Sequence, residues 1–157
     1  MNISKMVLLG LLVAMRSMTA SATVVDYLAK HPTYRRNDAI GRIISDPTIA
    51  LLTKAMAGGE MLLDKMPFMP SRTDFVPLIG RMGVAGMLAA RLAKPNERIL
   101  AIVTASVSAA IGSYVARDMR VRVAQQLNGN HIAPGLAEDA LVVGGSLLWR
   151  DVFLDEV

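Results

Sequence analysis

The sequence predicts an all-α protein: a polytopic bundle of about five transmembrane helices in one integral membrane domain, residues 1–157. Hydrophobic residues make up 53% of the chain and charged residues 19%, whereas an average soluble domain carries roughly 25% charge. The mean hydropathy is +0.41, and the apolar residues are mainly Ala, Leu, Met, Val and Ile interleaved with 12 Gly. That mixture suits helices that pack closely in lipid. A soluble helical bundle is the alternative.

The clearest predicted span is residues 99–116, "ILAIVTASVSAAIGSYVA", a run without a single charged residue. Such a run is about long enough to cross the hydrocarbon core of a bilayer. Small residues recur at every fourth position of this segment, at Ala101, Ala105, Ala109 and Ser113. Because this spacing puts small side chains on one face, we expect another helix to pack closely against it.

The other four predicted spans each contain charged residues, and they are residues 6–28, 48–64, 75–93 and 136–154. The first is predicted to stay uncleaved, because Arg16 interrupts it before any signal-peptide cleavage site. Asp46-Pro47 is predicted to open the second helix. Five spans is the preferred count; four spans, or a segment that enters and leaves on one side, are the alternatives. Residues 117–127 either extend the fourth helix or lie along the membrane surface.

Two pairs of segments in the chain are weakly similar to each other. "GLLVAMRS" (10–17) is similar to "GMLAARLA" (86–93), and "GGEMLLDK" (58–65) to "LAEDALVV" (136–143). The two pairs have similar separations along the chain. The similarity predicts a bundle of two related halves, which is a common way to build a transporter.

Several charged residues fall within or at the ends of the predicted spans. Glu60 and Asp64 are four residues apart and therefore share one face of a helix. An ionised carboxylate in lipid costs several kcal/mol, so both should face a partner or water. Arg16 is the natural partner of Glu60 or Glu138, because a guanidinium can bind a carboxylate through two parallel hydrogen bonds.

If the five spans alternate in direction, these charged groups converge on one half of the membrane. The predicted residues of a ligand-binding site or ion pathway are Arg16, Glu60, Asp64, Lys65, Arg72, Arg81, Glu138 and Asp139. They would line a hydrated cavity that is open to one side. The alternative is that they form ion pairs that hold the helices together. Lysine and arginine divide about evenly between the two predicted sides, so the positive-inside rule assigns no orientation.

The leading functional interpretation is a transport protein that binds or moves a small ion or charged solute. It needs no cofactor, and a homo-oligomer would offer more room for a pore than one short chain. Anionic lipid headgroups are the expected partners of the flanking basic residues. Nucleic acid is not expected despite a pI of about 9.8, because the basic residues are scattered along membrane flanks without interleaved aromatic residues.

Two other interpretations stay open. One is a membrane-embedded enzyme or carrier for a phosphorylated lipid, in which carboxylates would hold Mg²⁺. It is second to transport, because the chain contains neither a Gly-rich phosphate loop after a strand nor a Ser-His-Asp arrangement. The other is a non-catalytic membrane assembly partner. The chain has no cysteine, which excludes disulfides and thiolate metal sites, and its sequence identifies no particular metal.

Several of these motifs also follow one another in a recognisable order. A Gly-rich first helix ends in "MRS", "GEMLLDKMP" is followed closely by "PSR", and a late "LAED" opens the last helix. Over nearly its whole length the chain resembles small polytopic bacterial membrane proteins of the domain of unknown function 4126 family.

The resemblance implies a multi-pass helical protein of the bacterial inner membrane and no particular activity. Its site residues would be Arg16, Glu60, Asp64, Lys65, Pro67, Arg72, Glu138 and Asp139. The basic insert "HPTYRRNDAIGR" departs from the family pattern.

Overall fold

The computed structural model describes residues 2–31, 39–44, 46–63, 74–126 and 132–151. All regular structure within these ranges is helical, so the prediction of an all-α protein is confirmed. The helices are α1 (Ile3–Met15), α2 (Ser17–Lys30), α3 (Ala39–Ile44), α4 (Pro47–Leu63), α5 (Phe75–Leu92), a 3-10 turn (Pro95–Glu97), α6 (Arg98–Gln126) and α7 (Ile132–Trp149).

Three predicted spans correspond closely to α4, α5 and α6. Helix α4 begins at Pro47 as predicted, and Asp46 caps it by accepting a hydrogen bond from the Thr48 backbone N–H (2.7 Å). Helix α6 continues to Gln126, so the segment after residue 116 extends the fourth helix. Helix α7 begins at Ile132, about one turn before the predicted start. Pro134 is compatible with this first turn, because a backbone N–H there has no partner within the helix.

The predicted single span over residues 6–28 is wrong, because the chain forms two helices there. Arg16 separates them with an extended backbone (φ −148°, ψ 104°). Two contacts with the last helix give the direction of α1 relative to α7. The Trp149 indole N–H donates to the Lys5 carbonyl (3.2 Å), and the Arg16 guanidinium pairs with Asp139. As the residue numbers rise along α1, the numbers of the α7 residues that they contact fall. Helices α1 and α7 are therefore antiparallel.

Helix α2 folds back from Arg16 instead of continuing in the direction of α1. At its start Ser17 bonds to Glu60 of α4, and farther along Asp26 bonds to Lys54, so α2 and α4 are antiparallel. Near its end, Asp26 lines the same cavity as Arg150, which follows α7. Residues 3–30 are therefore a helical hairpin whose tip is Arg16.

The face of small residues on α6 is confirmed as a close helix contact. All four of its side chains are fully buried: Ala101, Ala105, Ala109 and Ser113. Gly10 of α1 lies against this face, where an added Cβ would be 2.7 Å from the Ser108 Cβ. On the other side of α6, the Ser106 hydroxyl donates to the Met82 carbonyl of α5 (2.9 Å). Helix α6 thus packs between α1 and α5, with its backbone close to that of α1.

The outward surface of the bundle carries large apolar side chains. Ile99 is 80% exposed, Val76 78% and Phe75 77%. In the part of the chain that the structure describes, two helical segments are long and apolar enough to cross a membrane, Phe75–Leu92 and Pro95–Val123. The sequence predicts five spans. The described helices support membrane association, but they do not confirm that number of spans.

Candidate functional site

Arg16 lies at the tip of the hairpin and is only 1% exposed. Its backbone N–H donates to the Leu12 carbonyl (3.0 Å), and its own carbonyl accepts from the Ala20 N–H (3.3 Å). The residue thus ends α1 and starts α2. Its guanidinium forms an ion pair with Asp139, the neighbour in sequence of the predicted partner Glu138.

Glu60 of α4 caps the beginning of α2. Its carboxylate accepts hydrogen bonds from the Met18 backbone N–H (3.0 Å) and the Ser17 hydroxyl (3.2 Å). The first N–H groups of a helix have no partner within it, and the positive end of the helix dipole favours an anion there. Glu60 therefore links α4 to the hairpin tip, one residue from Arg16.

The other predicted residues are less closely grouped. Glu138 is 8% exposed and lines a mostly apolar cavity of about 180 Å³ with Met15 of α1 and Arg120 of α6. Arg81 is buried on α5. Three candidates lie outside the described residues: Asp64, Lys65 and Arg72. The structure therefore brings Arg16, Asp139 and Glu60 together at the hairpin tip.

A polar cavity lies elsewhere, between α2, α4 and the C-terminal half of α7. This cleft, called here the α2–α4–α7 cleft, has a volume of about 400 Å³. It is lined by Thr19, Ala22, Thr23, Asp26, Lys54, Ala57, Gly58, Val143, Leu147 and Arg150. None of the predicted site residues that the structure describes is in this lining. The cleft reaches the molecular surface, because Gly58 is exposed and the Lys54 side chain is half exposed.

Two residues of the cleft lining, Asp26 and Lys54, belong to an ion cluster of three residues, of which Lys30 is the third. Asp26 Oδ1 is 2.5 Å from Lys54 Nζ, and Asp26 Oδ2 is 2.8 Å from Lys30 Nζ. A second cavity of about 290 Å³ also has Asp26 and Lys54 in its lining, together with residues of α2 and α4 such as Lys30 and Leu51. The Asp26–Lys54 pair therefore stands between two adjacent cavities.

Two buried hydroxyl groups lie on the helices that form this cleft. Thr19 is 8% exposed and Ser146 is 2% exposed, and neither hydroxyl has a hydrogen-bond partner among the described residues. Thr19 lines the cleft directly, whereas Ser146 lies on α7 between the lining residues Val143 and Arg150. A buried hydroxyl without a partner costs about 1–3 kcal/mol. Both oxygen atoms are inaccessible to solvent, so they lie behind the cleft surface.

The sequence contains a signal for this cleft that the single-span interpretation hid. Thr19, Thr23 and Asp26 follow the spacing of one helix face, and this polar stripe becomes visible once residue 17 is taken as the start of a helix. Lys54 is the charged residue in the middle of the second predicted span. Within a single span over residues 6–28 these three residues had no predicted role, because nothing in the sequence marks a turn at Arg16.

Within the described ranges, no three or more His, Asp or Glu side chains are grouped so that they could hold a metal ion. The candidate site is therefore described by its protein groups alone: a cleft with hydroxyls, two cations and one carboxylate. No protein-family model, no curated protein and no solved structure matches this chain. The resemblance to the domain of unknown function 4126 family stays a prediction.

Proposed function

We propose that this chain is a multi-pass membrane protein of the inner membrane that binds or transports a small ion or charged solute in the α2–α4–α7 cleft. The observation that carries the proposal is the cleft of about 400 Å³, which is within the usual range for ligand sites of 300–1,000 Å³. Charged and hydroxyl groups converge in its wall, and one of its hydroxyls is buried without a protein partner among the described residues.

The burial of the two long apolar helices supports the membrane assignment. The core helix of a soluble protein is mostly buried, but only 28% of the apolar window of α5 and 33% of that of α6 are buried. On α6, large aliphatic side chains face outward, whereas alanine and serine side chains face α1. A soluble protein rarely leaves so large an apolar surface in water, whereas lipid tails would cover it.

The proposed topology differs from five simple spans. Helices α1 and α2 have 13 and 14 residues, which is about 20 Å each at 1.5 Å per residue. A hydrocarbon core is about 30 Å thick. We therefore assign the hairpin as a segment that enters and leaves on one side, with α4, α5, α6 and α7 as the crossing helices.

The predicted charged residues take a supporting part in this proposal. Arg16, Glu60 and Asp139 join α2 to α4 and α7 at the hairpin tip, and these three helices form the walls of the cleft. Thr19 is less than one helical turn from Arg16, so the tip fixes the inner end of the cleft. The solute itself would contact the charged groups farther along α2.

Single cysteines test whether the cleft is hydrated, because the natural chain has none. Thr23→Cys and Gly58→Cys lie in the cleft, and Gly58 has open space where a side chain would start. We expect a membrane-impermeant thiol reagent to label both from one side of reconstituted vesicles. Ser113→Cys, a fully buried position of similar size, is the matched control and should stay unlabelled.

A fourth variant separates the cleft from the lipid-facing surface. Val107 is 48% exposed on the outer face of α6, so Val107→Cys should react with a lipid-soluble reagent and resist the impermeant one. If the two cleft cysteines behave like Ser113→Cys, the cleft is closed to water and the proposed function loses its basis. If Val107→Cys reacts readily with the impermeant reagent, the membrane assignment is wrong.

A further inference from the structure

The chemistry of the cleft wall identifies the class of solute, on the premise that the proposed function is correct. We propose that the α2–α4–α7 cleft binds a small oxyanion, a carboxylate or phosphate group, which takes Lys54 away from Asp26. Lys54 would be the main contact, and the Thr19 hydroxyl, once its side chain turns toward the cleft, would be a second one. The proposal rests on which hydrogen-bonding groups around the cleft are already used.

Acceptor groups in the cleft wall are largely satisfied by protein. Each oxygen of Asp26 is within hydrogen-bonding distance of an ammonium group, that of Lys54 or Lys30. A cation arriving in the cleft would have to displace one of these lysines and would meet their positive charge. The wall is therefore poorly suited to a cation.

Donor groups remain in excess. An ammonium has three N–H donors, and the Lys54 Nζ contacts one carboxylate oxygen of Asp26. The Thr19 hydroxyl has no partner among the described residues and is buried behind the cleft surface, so it would donate to a ligand only when the side chain turns toward the cleft. Lys54 is 50% exposed and Lys30 65% exposed, so both ammonium groups can move. An oxyanion supplies acceptors to these donors, and charge-assisted hydrogen bonds of this kind are the strong ones.

The net charge of the cluster points the same way. Lys30, Lys54 and Arg150 carry three positive charges near the cleft, and Asp26 and Asp151 carry two negative charges. An anion is therefore favoured over a cation beside these groups.

Ligand binding to Lys54 would also affect the space between the two cavities, because of where the Asp26–Lys54 pair lies. This pair stands between the cleft and the second cavity of about 290 Å³. When the ligand takes Lys54, the pair opens and the two cavities can join along α2 and α4. The ligand and Asp26 would thus compete for the Lys54 ammonium group. This competition predicts an unusual effect of Asp26→Asn on ligand affinity.

Affinity measurements on the purified full chain in zwitterionic nanodiscs test the proposal. Calorimetry would use sodium phosphate and sodium succinate as oxyanion probes, with sodium chloride and choline chloride as ion controls. We expect phosphate or succinate to bind, Lys54→Gln to weaken that binding at least roughly tenfold, and Thr19→Val several-fold. Lys94→Gln, an exposed lysine outside the cleft, and Thr53→Val, whose hydroxyl bonds to its own helix, should leave the affinity unchanged.

Asp26→Asn distinguishes competition from a merely structural effect. If Asp26 competes with the ligand, the variant should bind the oxyanion several-fold more tightly although it loses an ion pair. A variant that only disturbed the fold would bind more weakly. Weaker binding by folded Asp26→Asn, or an unchanged affinity of Lys54→Gln, would overturn the proposal.

The remaining outcomes separate this inference from the proposed function. If choline or sodium binds instead and Thr19→Val abolishes that binding, the site takes a cation: the inference fails and the proposed function stands. If the site is occupied only in nanodiscs that contain anionic phospholipid, and this occupancy depends on Lys54, the oxyanion is a lipid headgroup. If no oxyanion binds while the cleft cysteines are still labelled, the inference alone fails; if they are also unlabelled, both fail.

Discussion

Arg16 acts through its backbone and its side chain separately. In a continuous helix the Met18 N–H would bond to the Ala14 carbonyl, but here it bonds to the carboxylate of Glu60. A side chain from another helix thus replaces the helical hydrogen bond and permits the turn. The guanidinium then fixes the tip against Asp139.

The Arg16–Asp139 pair yields a prediction at the residue scale. Breaking a buried ion pair by removing one member is strongly destabilising and costs about 3–5 kcal/mol. We expect Arg16→Met to lower the free energy of unfolding by about that amount, measured by denaturation in micelles with the fluorescence of the single Trp as signal. The double variant Arg16→Met/Asp139→Leu should recover part of the loss.

Lys30→Met is the matched control for this measurement. It removes an ion pair between residues i and i+4 whose lysine is 65% exposed, so its cost should be below about 1 kcal/mol. If Arg16→Met costs no more than Lys30→Met, the buried pair does not stabilise the hairpin, and its role in shaping the cleft would have to be abandoned.

The residues at the tip also show what the sequence could and could not predict. Arg16, Glu60 and the acidic start of the last span were singled out because charges inside apolar runs are unusual. Their pairing could not be derived, because Glu60 binds Ser17 and Met18 only if a helix starts there. Arg16 is neither glycine nor proline, so no local signal marks the break; tertiary contacts decide it.

At the scale of the helical elements, the contact between α1 and α6 depends on the absence of a side chain at Gly10. An added Cβ would lie 2.7 Å from the Ser108 Cβ, and it would also meet the Ala105 carbonyl oxygen. Backbone cannot yield as a flexible side chain can. We expect Gly10→Ala to lower the free energy of unfolding by roughly 1–3 kcal/mol, the usual cost of overpacking.

Gly83→Ala is the control for Gly10→Ala. Gly83 also lies within a helix, but a Cβ there would meet nothing within 4 Å. Alanine is a better helix former than glycine by roughly 0.5–1 kcal/mol, so Gly83→Ala should stabilise the protein or leave it unchanged. Equal effects of the two substitutions in the same unfolding assay would contradict close packing of α1 on α6.

The helices themselves were largely predictable from the sequence, and their directions were not. Helices α4, α5 and α6 follow apolar runs and turn residues closely, and the small-residue face of α6 correctly predicted a close helix contact. The cleft was missed because it depends on α2 running back beside α7. Apolar composition reports that a segment is buried in lipid or protein, but it does not report a reversal of chain direction.

At the scale of the whole molecule, the hairpin changes how charge is distributed between the two ends of the bundle. A single first span would put Lys5 and Lys30 on opposite sides, whereas the hairpin brings both toward the end where α7 terminates. The ion cluster of Asp26 and Lys54 lies toward the same end. The proposed anion site thus lies toward the open end of the hairpin and away from its tip at Arg16.

The membrane assignment gives a prediction for the whole molecule that uses its single tryptophan. Trp149 is 1% exposed and donates to the Lys5 carbonyl, so quenchers on any side should reach it poorly. A tryptophan placed at outward-facing Val107, in a Trp149→Phe background, should instead be strongly quenched by lipids brominated in their acyl chains. Water-soluble acrylamide should quench it weakly, because lipid rather than water covers this face of α6 in the proposed topology.

If acrylamide quenches the residue-107 tryptophan strongly and brominated lipid does not, the exposed apolar face is in water or against protein. The soluble helical bundle would then be the correct interpretation, and the transport proposal would fail with the membrane assignment.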